Sequence, residues 1–134
     1  MILPFIQAIV NTYLTSPSSQ NLREICPVIH NSVAPQDSQQ PYIVFSILPG
    51  SNSQTLCKSH LYTFDVIFSV YSNTAKNGLT IAESLLKFYD NRHFEFDDGR
   101  IVKIKPAPIY NRYDAGDRLY VHQFEMEYLL QETT

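Results

Sequence analysis

The segment 61–71, LYTFDVIFSVY, constrains the fold of this 134-residue chain more than any other stretch. Apolar and polar side chains alternate along it almost perfectly, as in a β-strand whose two faces meet different surroundings. The apolar face holds Tyr62, Phe64, Val66, Phe68 and Val70, and the polar face holds Thr63, Asp65 and Ser69. The sequence therefore predicts a sheet with one dry face and one wet face.

Two segments have the periodicity of amphipathic helices and can cover the dry face of such a sheet. Residues 2–14 place apolar side chains three and four positions apart. A second stripe runs through 75–90, where Asn73 or Thr74 is suited to capping the helix and Gly78 weakens it slightly. The predicted core joins both helices to the sheet and consists of Ile6, Ile9, Phe64, Val66, Phe68, Ile81 and Leu85.

Three further regions have strand patterns. Residues 42–48 (YIVFSIL) alternate until Pro49-Gly50, which is a stop signal, and residues 119–130 (LYVHQFEMEYLL) alternate again. The turn signal Asp97-Asp98-Gly99 separates HFEF from RIVKIK, and this arrangement predicts a short hairpin.

The element order is helix, strand, strand, helix, strand, strand. Strands joined by loops pair antiparallel, and two amphipathic helices need one apolar sheet face to cover. We therefore predict a single α+β domain over residues 1–134, a two-layer sandwich in which an antiparallel sheet of about four strands carries two helices on one face. The other face is expected to stay polar and exposed. Segments 49–60 and 106–118 are predicted to be long loops, and the apolar piece 25–29 a minor strand.

Charge and apolar content exclude several classes of partner. The net charge is −3, and no Lys/Arg cluster supplies the basic footprint of a nucleic-acid-binding protein. The longest apolar stretches fall short of the roughly 20 residues that cross a bilayer, and the N-terminal residues do not resemble a signal peptide. Cys26 and Cys57 lack metal-finger spacing, and we expect both to be reduced, unpaired thiols.

Candidate catalytic residues are few, and each has a simpler structural interpretation. His93, Glu95, Asp97 and Asp98 are of the types that hold a catalytic metal, but Asp-Asp-Gly is far more often a turn. His122 lies on the apolar face of the last strand, and we interpret it as a core or edge histidine with one backbone hydrogen-bond partner. The four glycines form no phosphate-binding loop. The sequence therefore predicts no enzyme, no metal site and no cofactor.

The order and spacing of several landmarks resemble one family of virion proteins. These landmarks are Val33-Ala34-Pro35, a polar spacer and Pro41-Tyr42-Ile43-Val44-Phe45; a long strand ending in Val70-Tyr71-Ser72 before the 75–90 helix; and the loop Tyr113-Asp114-Ala115-Gly116-Asp117 before a strand ending in Glu127-Tyr128. Together they cover roughly residues 28–130. In this respect the chain resembles the tail terminator, or tail completion, proteins of long-tailed bacteriophages and prophages.

The resemblance implies a structural virion protein that assembles in the bacterial host cytoplasm. Such a protein forms a ring, usually of six subunits, at the head-proximal end of the tail. The ring docks on the tail tube protein, stops tube growth and offers a surface to the head-side connector protein. Pro35 and Pro41 then have a role, because they hold the chain extended where it enters the first strong strand.

A ring needs unlike patches that meet between copies, and we expect opposite charges on them to set the register. The interface residues expected from the polar sheet face and the two long loops are Asn52, Gln54, Lys58, Asp65, Arg112, Asp114, Asp117, Arg118 and Glu125. Three alternatives stay open from the sequence. They are another neck or head-completion protein, a metal-dependent nuclease or hydrolase built on the 93–105 hairpin, and a host-side adaptor or antitoxin-like module.

Overall fold

The computed structural model describes residues 2–35, 38–54, 60–90, 92–96, 99–106 and 109–132. Within them, the α-helices are α1 (Ile2–Thr15), α2 (Gln20–Ile25) and α3 (Ala75–Asp90), with a 3-10 turn at Pro17–Ser19. The strands are β1 (Ile29–Asn31), β2 (Tyr42–Gln54), β3 (His60–Ser72), β4 (Phe94–Phe96), β5 (Gly99–Pro106), β6 (Tyr110–Asp114) and β7 (Leu119–Glu132). No helix in the described part of the chain is long and apolar enough to cross a membrane.

The predicted sheet of about four antiparallel strands is wrong in strand number and in direction. In the described part of the chain, seven strands form one sheet in the order β1-β2-β3-β7-β5-β4, and β6 lies beside β7 on the edge that β5 also uses. The short β1 pairs with β2 in parallel, whereas the other pairings are antiparallel, so the sheet is mixed. The sheet curls into a half-barrel instead of forming a simple flat layer.

The segment 106–118, predicted to be a loop, contains strand β6. Residues 110–114 pair antiparallel with 119–123, which leaves only a four-residue turn at 115–118. Strands β5 and β6 therefore share one long partner, β7, and Pro106 marks the end of β5. Proline lacks the N–H that a sheet ladder needs, which fits the end of β5 at Pro106.

The segment 49–60 was also predicted to be a loop, and most of its described residues extend the β2–β3 hairpin. Strand β2 continues through Pro49-Gly50 to Gln54, and β3 begins at His60. The pairing register shifts between Pro49 and Asn52. A bulge of this kind absorbs a proline without ending the strand, which is why the stop signal misled the prediction.

The predicted core is confirmed on the helix-covered face of the sheet. Phe68 lies opposite Phe45 and Phe124 in neighbouring strands, and it stacks on Tyr89 of α3 with ring centroids 4.7 Å apart. The buried members of the prediction are Ile9, Phe64, Val66, Phe68, Ile81 and Leu85, with Ile6 partly buried against them. The alternation in 61–71 therefore orients β3 correctly.

Helix predictions are confirmed for 2–14 and 75–90, but the region between α1 and β2 differs from expectation. The Thr74 hydroxyl accepts a hydrogen bond from the Asn77 N–H at 3.4 Å, which caps α3. The apolar piece 25–29 is not a strand, because α2 ends at Ile25 and β1 begins only at Ile29. A third helix, α2, therefore joins the two that the periodicity predicted.

We predict that Cys26 is a free, slowly reacting thiol in the folded protein. Its side chain is buried and unpaired, and burial raises the pKa of the thiol to about 11, so the reactive thiolate is scarce near neutral pH. Cys57 lies outside the described residues. Titration with a thiol reagent should show that Cys26 is protected in the native state, and two thiols should react in denaturant without reductant. Finding no thiol in freshly prepared, denatured protein would contradict this prediction.

Candidate assembly surfaces

The outer face of the sheet, opposite the helices, holds a group of carboxylates on adjacent strands. Asp65 of β3 lies directly opposite Glu127 of β7, and Glu125 lies opposite Ile67 one row away. All three carboxylate side chains are half-buried. Two of the predicted interface residues, Asp65 and Glu125, are thus brought together, with Glu127 as a third acid in the same patch.

Part of the outer face is buried, whereas the sequence predicts that this face stays polar and exposed. Val121 has no exposed surface, and Val44, Ser69 and Leu119 are nearly as buried. These residues share the outer face by strand alternation, and the helices lie on the other side. Their burial fits a sheet that curls into a half-barrel.

The electrostatic surroundings of Tyr42, at the start of β2, reflect the curl of the sheet. The Tyr42 ring stacks on Tyr71, with ring centroids 4.9 Å apart. Burial raises the pKa of the Tyr42 hydroxyl, Tyr71 raises it further, and the carboxylates of Asp117 and Asp114 add to the rise. Asp114 and Asp117 belong to a hairpin that is three strands away across the sheet, so a flat sheet would not bring them near Tyr42.

The β6–β7 hairpin collects four of the predicted interface residues. The Asp114 carboxylate accepts hydrogen bonds from the N–H groups of Gly116 at 3.0 Å and Asp117 at 3.3 Å, which fixes the turn. Arg118 follows with a positive φ of 56°. Arg112, Asp117 and Arg118 are exposed. The predicted loop residues are therefore held on an ordered hairpin.

The sequence predicts that Arg112 and the acids lie on separate patches, but the structure places them on the same side of the sheet. Arg112 lies opposite Val121 in β7. Residues 121, 123 and 125 are every second residue of β7, so they all lie on the outer face. Arg112 and Glu125 therefore project from one side of the subunit. A single neighbouring surface that covers this side would meet both charges.

The remaining predicted interface residues are not brought to this region. Asn52 lies opposite Tyr62, and Gln54 lies opposite His60, so both are at the end of the sheet that is distant from the β6–β7 turn. Lys58 lies outside the described residues. The structure thus separates the two segments that the sequence grouped as long loops.

A groove between α2 and α3 is the surface that sequence reasoning missed. It has a volume of about 600 Å³, and its lining includes Leu22, Ile25, Ile81, Lys87, Phe88 and Arg92. The lining residues of α3 fall on one stripe of that helix. Two basic residues, Lys87 on this stripe and Arg92 just after the end of α3, were the available signal for the groove. The sequence did not show that α2 would form the opposite wall.

The Arg92 side chain is fixed at one end of this groove. Its guanidinium lies 4.3 Å from the centre of the Phe88 ring. It donates hydrogen bonds to the Ser16 hydroxyl at 2.9 Å and to the Ser18 hydroxyl. Lys87 is exposed on the rim, so the groove combines an apolar floor with two positive charges.

The candidate catalytic residues do not form a site in the described part of the chain. His93 and Glu95 are exposed, and Asp97 and Asp98 lie outside the described residues. No group of three or more His, Cys, Asp or Glu that could hold a metal is present among the residues described. The predicted hairpin of HFEF and RIVKIK is confirmed by the antiparallel pairing of β4 with β5.

His122 is a core residue, as the sequence suggested. Its side chain is 1% exposed, and burial lowers the pKa of its imidazole below the usual 6.5. The expected backbone partner is not found at Nδ1, which has no hydrogen-bond partner among the described atoms. The imidazole instead packs against Gly78 of α3.

Comparison with known proteins identifies a shared fold but no family. No protein-family model matches the chain, and no curated protein matches it. Among solved structures, it is similar to a chain of a structure described as the virion of a native gene transfer agent (GTA) particle. The TM-score is 0.62 at 11% sequence identity, and the match covers 87% of this chain and 85% of that chain. At this identity the similarity establishes the fold, over nearly the full length of both chains.

Proposed function

We propose that this protein is a structural component of a phage-like virion that caps the tail tube as an oligomeric ring. The observation that carries the proposal is the near-complete fold match to a chain of a gene transfer agent virion. The order of landmarks in the sequence supports the same class, because it resembles tail terminator proteins. The proposed role is to end tail polymerisation and to form the head-tail joining surface.

The proposed partners are further copies of the chain, the tail tube protein and the head-side connector protein. The candidate contacts lie on the β6–β7 hairpin, with Arg112, Asp114, Asp117 and Arg118, and on the outer face, with Asp65 and Glu125. Exposed Tyr110 and Tyr113 on the same hairpin add apolar area, which interfaces favour. Asn52 and Gln54 stay proposed contacts at the far end of the sheet, and Lys58, which lies outside the described residues, stays a proposed contact.

A weak contact between free subunits fits this role. A cap must not assemble before a tube offers a template, so we propose that the isolated protein is largely monomeric when dilute and oligomeric when concentrated or docked. We propose no catalytic function. The ring, usually of six subunits in the family that the sequence resembles, would occupy the head-proximal end of the tail.

The second candidate is another neck or head-completion protein of the same virion. The fold match favours it equally, because a virion contains several small structural proteins. Genes for portal, capsid and tail tube proteins beside this gene would support both candidates against an adaptor or antitoxin-like module. Only the position in the particle distinguishes the two structural roles.

Deleting the gene is expected to yield overlong tails that lack heads, because tube growth is no longer stopped and the head-tail joining surface is missing. Tail length and head attachment are measured by electron microscopy of the particles. Supplying the intact chain in trans should restore tails of normal length joined to heads. Normal tails without the protein would exclude the capping role, and normal tails that lack heads would favour the neck role.

A further inference from the structure

We infer that the α2–α3 groove of one copy binds the acidic outer face of the next copy, and that this contact repeats head to tail around the ring. The inference rests on the proposed ring and names the two surfaces that meet in it. It also reassigns the positive partner of the outer face from Arg112 and Arg118 to the groove residues Lys87 and Arg92.

The layer arrangement gives the first reason. Helix α3 packs on β3 and β7 from one side, and the acidic patch lies on the other side of those same strands. Contacts between unlike patches on opposite sides of a subunit can repeat from copy to copy, and they close into a ring when the rotation permits. Arg112 shares a side with Glu125, so it is poorly placed to be the opposite patch.

Charge complementarity gives the second reason. The groove lining includes two cations, Lys87 and Arg92, and no carboxylate among the described residues. The outer face presents Asp65, Glu125 and Glu127 on neighbouring rows of two strands. Complementary charges of this kind set partner choice and orientation more than raw affinity.

Exposed apolar side chains on both surfaces give the third reason. Leu48 is 48% exposed on the outer face, in the same row as Asp65 and Glu127. Ile25 is 52% exposed at the groove, above a floor that includes Leu22 and Ile81. Each surface thus combines exposed apolar area with charged groups, two cations at the groove and the Asp65, Glu125 and Glu127 acids on the outer face, which is the composition of a specific contact between copies.

The test is a charge exchange between two variants. Lys87→Glu reverses one of the two groove cations and leaves the outer face intact, and Glu125→Lys reverses one of the three outer-face acids and leaves the groove intact. Each variant alone is expected to self-associate about tenfold or more weakly than the wild type in sedimentation velocity, because every contact then has a like-charge repulsion at the substituted position. An equimolar mixture is expected to recover association, because alternating copies restore an opposite-charge pair at each contact.

Matched controls carry the same charge changes elsewhere. Lys76→Glu lies on the same helix outside the groove lining, and Glu95→Lys lies on β4; both side chains are exposed. Circular dichroism verifies that all variants are folded. The controls are expected to associate within about threefold of the wild type, since distant surface charges contribute little.

Two results would overturn the contact. One is a mixture that stays as dissociated as the separate variants, and the other is controls that weaken association as much as Lys87→Glu does. A wild-type chain that remains monomeric up to about 1 mM would also overturn it, since millimolar dissociation is already a very weak contact. These outcomes leave the capping role standing, because that role is judged by tail length in the gene deletion.

Discussion

Phe68→Ala is expected to lower the free energy of unfolding by about 3–5 kcal/mol, the range for deleting a fully buried aromatic side chain. Phe68 has no exposed surface. Its ring lies 4.7 Å from Tyr89, 5.1 Å from Phe124 and 6.2 Å from Phe45 between ring centroids. The substitution therefore leaves a cavity where α3 meets the three central strands, and denaturant melts measure the loss.

Leu3→Ala is the control for this prediction. Leu3 lies on α1 and is 64% exposed, so its truncation should change the free energy of unfolding by less than about 0.5 kcal/mol. A loss below about 1 kcal/mol for Phe68→Ala would mean that β3 turns its other face to the helices. That result would contradict the fold on which both assembly surfaces depend.

Gly78→Ala is expected to lower the free energy of unfolding by about 1–3 kcal/mol, the usual cost of overpacking a filled site. An alanine Cβ at this position would lie 2.6 Å from Nδ1 and 2.8 Å from Cε1 of His122, and 3.2 Å from the Ser72 Cβ. The imidazole is buried, so moving it aside would disturb the packing around it. The expected sign is opposite to that of an ordinary helix position, where replacing glycine by alanine stabilises by up to about 1 kcal/mol.

Two companion variants identify the cause of that loss. Asn77→Ala places alanine at an exposed position in the same turn of α3 and should be near neutral or slightly stabilising. In a His122→Ala background, Gly78→Ala should lose most of its cost, so the double-mutant cycle should show strong coupling. If Gly78→Ala stabilises the otherwise unchanged protein, the close packing of α3 on β7 is refuted.

The sequence predicted those parts of the fold in which one strong pattern has one physical solution. The alternation in 61–71 fixed which side of β3 meets the core, and the three- and four-residue spacing located α1 and α3. The sequence marks Gly78 as an unfavourable residue within a helix, but the reason for a glycine at this position is a tertiary contact. A glycine is needed there because His122, distant in sequence, occupies the space of a side chain.

The predictions failed where strand pairing, which is a tertiary property, overrode a local signal. Pro49-Gly50 is a stop signal in isolation, but β3 continues to pair beyond it, so β2 continues with a bulge. The polar residues 110–114 have no alternation that marks a strand, and they form β6 because the adjoining β7 offers a free edge. Strand number and curl therefore could not be predicted from local patterns.

For the candidate surfaces, the sequence predicted the chemistry of single residues better than their grouping. It placed Asp65 and Glu125 on the polar face, and the register confirms that they lie on one face of adjacent strands. It separated Arg112 from that face, which the pairing of β6 with β7 contradicts. The groove was missed because it needs two helices, and α2 is too short for periodicity to reveal.

The central claim is that this chain caps a virion tail, and the most direct test is to locate the protein in the particle. Cryo-electron microscopy of particles that carry a tagged copy should find it as one closed ring at the head-proximal end of the tail tube. Density for the chain along the tube, at the distal tip or within the head would contradict the claim, and so would its absence from purified particles.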